Sequence, residues 1–197
     1  MKIIQIGTCV GNDDLTEIAQ MNDPELLVLV EPMSIHNSKI KECYSKNSNV
    51  FIENIAITTT DQEEMVFYYH KDDGPLYEVA TTDINHILKH GYSSEGVVEL
   101  RVKCLKINDL FDKYDLINID ILFIDAEGLD DQIIRSIDFL KYNINKIYFE
   151  NLHLKDEKIY NFLTKLGYKI TKKMGHNDWT SLAEKSTKKK KRFFFFN

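Results

Sequence analysis

The chain has 197 residues, with 43% hydrophobic and 28% charged side chains and a formal net charge of −6. This length supports one domain with a full hydrophobic core, and the composition is that of an ordinary globular protein. The negative balance argues against a nucleic-acid binder, and no apolar run approaches the roughly 20 residues needed to span a bilayer. MKIIQIG, at the N-terminus, reads as a strand meeting a glycine, so no signal peptide is expected. Cys9, Cys43 and Cys104 have no metal-type spacing, and a reducing, cytoplasmic setting is the expectation.

Strand and helix patterns alternate from the start. KIIQI (2–6) is a short apolar strand, followed by a glycine turn and a helix through Leu15, Ile18 and Ala19. LLVLV (26–30) is continuously apolar, as in a parallel sheet covered on both faces. Ser34 is placed to cap a helix running to about Lys46, and VFIENIAI (50–57) reads as a third strand. MVFYYH (65–70) and VVELRVKCL (97–105) are strand-like with only a short helical pattern near 83–90 between them, so 58–105 is predicted to be a small inserted antiparallel element. ILFI (121–124) precedes a helix with Leu129, Ile133, Ile134, Ile137 and Leu140 on its apolar face. KIYFE (146–150) is a strand. Ile159, Phe162, Leu163 and Leu166 then mark a helix that Gly167 stops. YKITKKM (168–174) and WTSLAE (179–184) suggest a closing antiparallel hairpin. The alternation predicts a doubly wound, Rossmann-like α/β sheet, mostly parallel.

In such sheets ligands sit outside the carboxyl ends of the strands. Strand 1 ends in Gly7-Thr8-Cys9-Val10-Gly11, strand 2 in Glu31-Pro32, and strand 3 carries Asn54-Ile55. The next two end in Asp125-Ala126-Glu127-Gly128 and Glu150-Asn151. The first turn is G-x-x-x-G, which lets the backbone bend sharply and approach a ligand. It lacks the extra glycine of the dinucleotide fingerprint, where a pyrophosphate docks on helix amides. That favours a nucleoside without phosphates over a dinucleotide-using oxidoreductase, although a plain strand–helix turn has the same look. Glu31, twenty residues beyond Gly11, is positioned to accept hydrogen bonds from a ribose diol.

IQIGTCVGNDD, LVLVEP, NIAITT, CLKINDLF, LFIDAEGLDDQIIRSID and IYFEN, in this order, resemble the FkbM-type family of S-adenosylmethionine-dependent methyltransferases. The resemblance covers nearly all of residues 2–184. It implies a class I methyltransferase sheet and O-methylation of hydroxyls, often on sugars, with S-adenosylmethionine held by Gly7, Thr8, Cys9, Gly11, Glu31, Pro32, Asn54, Ile55 and Asp125. Two positions depart from the family pattern. Gln5 stands where an acid usually precedes the glycine loop, and Phe123 stands where a lysine usually lies two residues ahead of the aspartate. These departures favour a rival reading, a non-catalytic module that keeps the fold and binds the nucleoside.

Methyl transfer to an alcohol needs in-line alignment and a route for the hydroxyl proton, through a general base or a metal. Asp125 at the strand tip is the first candidate to stand beside the reacting methyl, with Glu127 two residues on and His153 just past the fifth strand as further catalytic candidates. His176, in the predicted hairpin turn, is more often a surface histidine. Asp130 and Asp131 read as acids of a helix's first turn, where negative charge is favourable. Asp125, Glu150 and Asn151 form an oxygen set similar to the magnesium site of catechol-type O-methyltransferases, suited to a divalent cation such as Mg. His86 and His90 have helical metal-pair spacing but no third ligand, so a solvated face is expected. The acceptor, a small molecule or glycan, would meet residues 58–105 and the turn at 175–178, where Tyr68, Tyr69, Tyr77 and Tyr92 are candidates to stack on sugar rings.

Residues 1–186 are read as the methyltransferase-like domain and 187–197 as a tail. The tail joins Lys188, Lys189, Lys190, Lys191 and Arg192 to four phenylalanines. It is either a solvated terminus or a membrane-surface contact, with cations on anionic headgroups and rings among the acyl chains. Under the membrane reading, removing residues 187–197 abolishes co-sedimentation with anionic liposomes; unchanged co-sedimentation rules that contact out.

Overall fold

The computed structural model describes residues 1–74, 77, 80–126, 128–152, 154, 157–174 and 179–186. In chain order the elements are β1 (Lys2–Ile6), α1 (Asp14–Asn22), β2 (Leu26–Val30), a 3₁₀ turn (Ser34–His36) leading into α2 (Asn37–Cys43), β3 (Val50–Glu53), β4 (Ala56–Thr58) and β5 (Glu64–His70). There follow α3 (Ile84–Lys89), β6 (Val97–Lys106), α4 (Ile107–Lys113), β7 (Asn118–Ile124), α5 (Asp130–Ser136), β8 (Asn143–Glu150), α6 (Lys158–Lys165), β9 (Tyr168–Met174) and β10 (Thr180–Lys185). Seven strands form the main sheet in the order β3-β2-β1-β7-β8-β10-β9. The first five are parallel, and β10 lies antiparallel between β8 and β9. β1 thus has neighbours from both halves of the chain, which makes its tip the switch point where a crevice opens.

The sheet is buried on both faces because its strands alternate. Ile4, Ile6, Val28, Val30, Leu122, Ile124, Ile147 and Phe149 face one way, against Leu110 and Phe111 of α4, Ile133 and Ile134 of α5, and Ile159 and Leu163 of α6. Ile3, Leu27, Leu29 and Ile121 face the other way, against Leu15 and Ala19 of α1, Ile40 of α2, and Tyr44. Asp13 caps α1: its Oδ1 accepts from the amides of Leu15 and Thr16, each at 3.0 Å. The Thr16 hydroxyl completes the capping box by accepting from the Asp13 amide.

Several expectations are corrected. Ser34 does not cap a helix to Lys46: it opens the 3₁₀ turn, and α2 runs from Asn37 to Cys43 with no side-chain cap. Residues 50–57 are two strands in two sheets, because the ladder stops at Asn54, whose side-chain amide donates to Glu31 O at 2.9 Å. The insert is a mixed three-stranded sheet of order β4-β6-β5: β5 and β6 are antiparallel, while β4 and β6 are parallel. The helix after β7 ends at Ser136, so Leu140 is fully exposed rather than on an apolar face. The closing hairpin is present as β9 and β10, although its turn and the tail beyond Ser186 lie outside the described residues. Among the described residues no helix is long and apolar enough to cross a membrane.

Asp130 is not the solvated helix-start acid that its position suggests; Asp131 is, paired with Arg135 one turn on. Asp130 is 2% exposed. It accepts from the amide of Ala126 at 3.2 Å and of Glu150 at 3.0 Å, tying the tips of β7 and β8 together. Burial pushes its carboxyl up to about 7; the two amide bonds oppose that rise, and the charges of Asp125 and Glu150 add to it. The folded state therefore holds this proton more tightly than the unfolded chain. The resulting stability is fully present below about pH 4 and is lost as pH rises to about 7. Unfolding of Asp130→Asn is expected to lack this slope. Between those two pH values its stability relative to wild type rises by an amount on the order of 4 kcal/mol or less. Parallel curves in urea titrations across that range would refute the assignment.

Candidate functional site

The tips of β1, β2 and β7 are held together by backbone contacts. The amides of Gly7 and Thr8 both donate to Val30 O, at 3.0 and 3.1 Å, and the Asp125 amide donates to Ile6 O at 2.9 Å. Gly7 has φ +78°, and a Cβ there would sit 1.8 Å from Asp125 O. Only glycine allows this approach. The next turn residue, Cys9, is also left-handed (φ 48°), and its amide points at the Glu31 carboxylate.

Glu31 is buried, at 5% exposed. Its Oε2 accepts from Cys9 N at 2.7 Å and its Oε1 from Met33 N at 2.8 Å. Charge-assisted bonds of this kind hold the carboxylate in one orientation, and each oxygen keeps capacity for another donor. Behind it, Asn54 exchanges amide bonds with Asn37 at 2.8 and 3.0 Å, which steadies its own bond to Glu31 O.

These tips open onto a cavity of about 560 Å³. Of the predicted site residues, Gly7, Cys9, Glu31, Pro32, Ile55 and Asp125 line it. Thr8, Gly11 and Asn54 are not part of this wall. The Thr8 hydroxyl turns to Val30 O, and a Cβ on Gly11 would meet the Tyr44 ring at 2.9 Å, so this glycine serves packing. Glu127, His153 and His176 lie outside the described residues. The opposite wall comes from the insert, with Met65 and Phe67 of β5, Tyr77, and Thr81 and Thr82, and from Trp179. Of the four candidate stacking tyrosines only Tyr77 lines the cavity; Tyr69 packs edge-on against it, and Tyr92 stacks on His70.

The three residues of the proposed metal set are placed differently relative to the cavity. Asp125 lines the cavity, whereas Glu150 and Asn151 do not. The Asn151 amide donates to Ser181 Oγ at 3.1 Å, because β10 runs antiparallel beside β8 and carries Ser181 to the same tip. Among the described residues no group of three His, Cys, Asp or Glu side chains is placed to hold a metal ion.

Gln5, which stands where the family pattern has a strand acid, is tied into a buried polar network. It is fully buried, and its amide nitrogen donates to Asp13 Oδ2 in a short contact. Its oxygen accepts from the Tyr44 hydroxyl at 3.2 Å. Burial, helped by the Asp13 charge, raises the Tyr44 hydroxyl well above its usual range, so it stays a donor. The Thr16 hydroxyl donates to Gly11 O, linking this network to the glycine turn. Asp13 thus supplies, from the helix cap, a carboxylate under the turn. The other departure, Phe123, stacks on Tyr148 with ring centroids 5.7 Å apart.

Asp13, His36, Leu129 and, within the insert, Met65, Phe67, Thr81 and Thr82 were not singled out as site residues by sequence reasoning, whereas Tyr77 was. Only Asp13 carried a legible signal, as an acid three residues before a threonine at a helix start.

The residues around the cavity fit the expected S-adenosylmethionine. They offer an anchored carboxylate for a ribose, a glycine in the turn that lines the wall without a side chain, and apolar faces from Pro32, Met33 and Ile55 for a planar base. Comparison with known proteins agrees on the fold. An O-methyltransferase from Bacillus cereus in complex with SAH superposes with a TM-score of 0.50 at 11% identity, covering 93% of this chain and 74% of that one. A precorrin-6y methyltransferase from Geobacter metallireducens gives 0.48 at 14% identity (94% and 80% covered). The N-methyltransferase NodS from Bradyrhizobium japonicum gives 0.46 at 10% (94% and 86%). No curated protein matches the sequence significantly. The sheet is that of class I methyltransferases. The family profile described as Methyltransferase FkbM domain matches residues 5–170, from the strand under the glycine turn to β9, and the chain belongs to that family.

Proposed function

We propose that the chain is an S-adenosylmethionine-dependent methyltransferase acting on a hydroxyl of a small-molecule or glycan acceptor, a sugar in the simplest case. The observation that carries this reading is the single cavity that Glu31 and Asp125 share with an aromatic-bearing insert wall. Gly7, Cys9, Glu31, Pro32 and Ile55 would hold the nucleoside, and Asp125 would stand at the methyl end. The sulfonium supplies an already activated methyl group when bound, so the protein's task is alignment. Met65, Phe67, Tyr77, Thr81, Thr82 and Trp179 would seat the acceptor, with aromatic faces suited to the C–H face of a sugar ring and hydroxyls suited to its rim. Asp125 would accept the proton of the acceptor hydroxyl as that oxygen is methylated.

The second reading, a nucleoside-binding module without turnover, is favoured by Phe123, which packs against Tyr148 where the family pattern has a lysine. Binding of the cofactor with no transfer to any member of a glycoside and alcohol panel would select it.

Two variants test the assignment. Glu31→Ala is expected to raise the Kd for S-adenosylmethionine by about tenfold or more, since a buried carboxylate partner is lost. Calorimetry showing unchanged affinity would overturn that placement. Asp125→Asn is expected to bind the cofactor with a Kd within about threefold of wild type. Labelled-methyl transfer by this variant should fall by about 100-fold or more. Undiminished turnover would remove Asp125 from the reaction.

A further inference from the structure

The C-terminal tail leaves the fold at the end of the sheet opposite the cavity. β10 runs antiparallel to β8, so its last residues lie beside the start of β8 and not beside the strand tips that carry Glu31 and Asp125. Lys185 Nζ accordingly donates to Asn143 Oδ1, and the Ser186 amide donates to Gly167 O at 3.1 Å. The two ends are separated by the length of β8, eight residues or about 26 Å. Three large aliphatic side chains are exposed at the tail end, one on each turn that feeds a strand: Ile117 (50%) before β7, Leu140 (fully) before β8 and Leu166 (37%) before β9. These turns are neighbours. The Asn143 amide donates to Ile117 O at 2.8 Å, and Phe139 packs edge-on against Tyr168. Because β10 lies between β8 and β9, the tail starts in the gap between the Leu140 and Leu166 turns. One exposed leucine on a globular surface needs no partner. Three aliphatic side chains beside the exit of a segment with five cations and four phenylalanines form one amphipathic feature.

We propose that this end of the sheet is a docking face for an anionic lipid bilayer, with Ile117, Leu140 and Leu166 entering the headgroup layer beside the tail. Lys188, Lys189, Lys190, Lys191 and Arg192 are drawn to anionic headgroups, and the phenylalanines and aliphatic side chains bury apolar surface at the acyl boundary. A single-stranded nucleic acid would also satisfy the cations and stack on the rings. It would give the three aliphatic side chains nothing to enter, so the folded face selects lipid. The consequence is directional. The cavity turns away from the bilayer, and whatever it binds enters from water. This orientation holds independently of the methyl-transfer reading.

The test uses the full chain and vesicles of phosphatidylcholine with and without phosphatidylserine. Wild type is expected to co-sediment with the anionic vesicles and not with the neutral ones. The double variant Leu140→Glu, Leu166→Glu, with the tail intact, is expected to bind the anionic vesicles about tenfold or more weakly. Leu152→Glu, at an exposed position of the cavity end, should bind within about twofold of wild type. All these positions are exposed, so the variants should keep the wild-type Tm. Trp179, the only tryptophan, lines the cavity and reports the orientation. Anionic vesicles with brominated acyl chains should leave its fluorescence unchanged. They should quench the tryptophan of a Leu140→Trp, Trp179→Phe variant. A wild type that stays in solution, or a double variant that binds as wild type does, would overturn the proposal. So would quenching of Trp179, which would turn the cavity end to the lipid, or equal weakening by Leu152→Glu. Retention on a single-stranded oligonucleotide with none on the vesicles would make the tail a nucleic-acid arm and overturn it as well.

Discussion

The cavity exists because three strand tips are pulled to within backbone contact of one another. Gly7 is the point of closest approach: its left-handed turn and missing side chain let β1 fold over the end of β7, where any Cβ would occupy the position of Asp125 O. Val30 O then takes both the Gly7 and Thr8 amides, which brings β2 to the same place. Glu31 and Asp125 are the residues immediately after β2 and β7, so this single convergence sets both carboxylates on one hollow. Glu31 is anchored by the amides of Cys9 and Met33, and Asp125 is exposed at the cavity wall.

Asp13 and Asp130 serve this convergence from behind. Asp13 caps α1 and simultaneously meets the buried amide of Gln5, so the glycine turn is fastened at its exit as well as its entry. Asp130 bridges the chain leaving β7 to the end of β8. Neither lines the cavity. Both use carboxylate oxygens to satisfy backbone amides that the ends of strands and helices leave unpaired, a use that rigidifies the loops carrying the functional groups.

The insert completes the hollow. Residues 56–106 leave the main sheet at Asn54 and return as a separate three-stranded sheet, placing Met65 and Phe67 opposite the strand tips. A class I sheet alone would present an open crevice; this second sheet walls it and gives it an apolar, aromatic side. His36 and Tyr77 face each other where the two walls meet.

The parallel sheet, its helices and the strand-end positions of Glu31 and Asp125 were legible in the sequence, because continuous apolar runs such as LLVLV and ILFI end abruptly at a charged residue. The closing hairpin was legible for a related reason, its two runs being strand-like and separated by turn residues. Periodicity reports only a residue's own face, so it carried no information on which distant groups meet. Gly11 and Gly7 look alike in the chain, yet one packs on Tyr44 and the other on Asp125. Asp130 and Asp131 are adjacent acids; one is buried and the other exposed enough to pair with Arg135, because only one faces the gap between β7 and β8. Asn151 donates its side-chain amide to Ser181, thirty residues on and on an antiparallel neighbour, a pairing that no local pattern announces. The sequence by itself determined the order of elements and the residues at their ends. The tertiary structure decided which of those residues share one hollow, since that depends on strand order, register and the direction of each side chain, and these are set by packing between segments far apart in the chain.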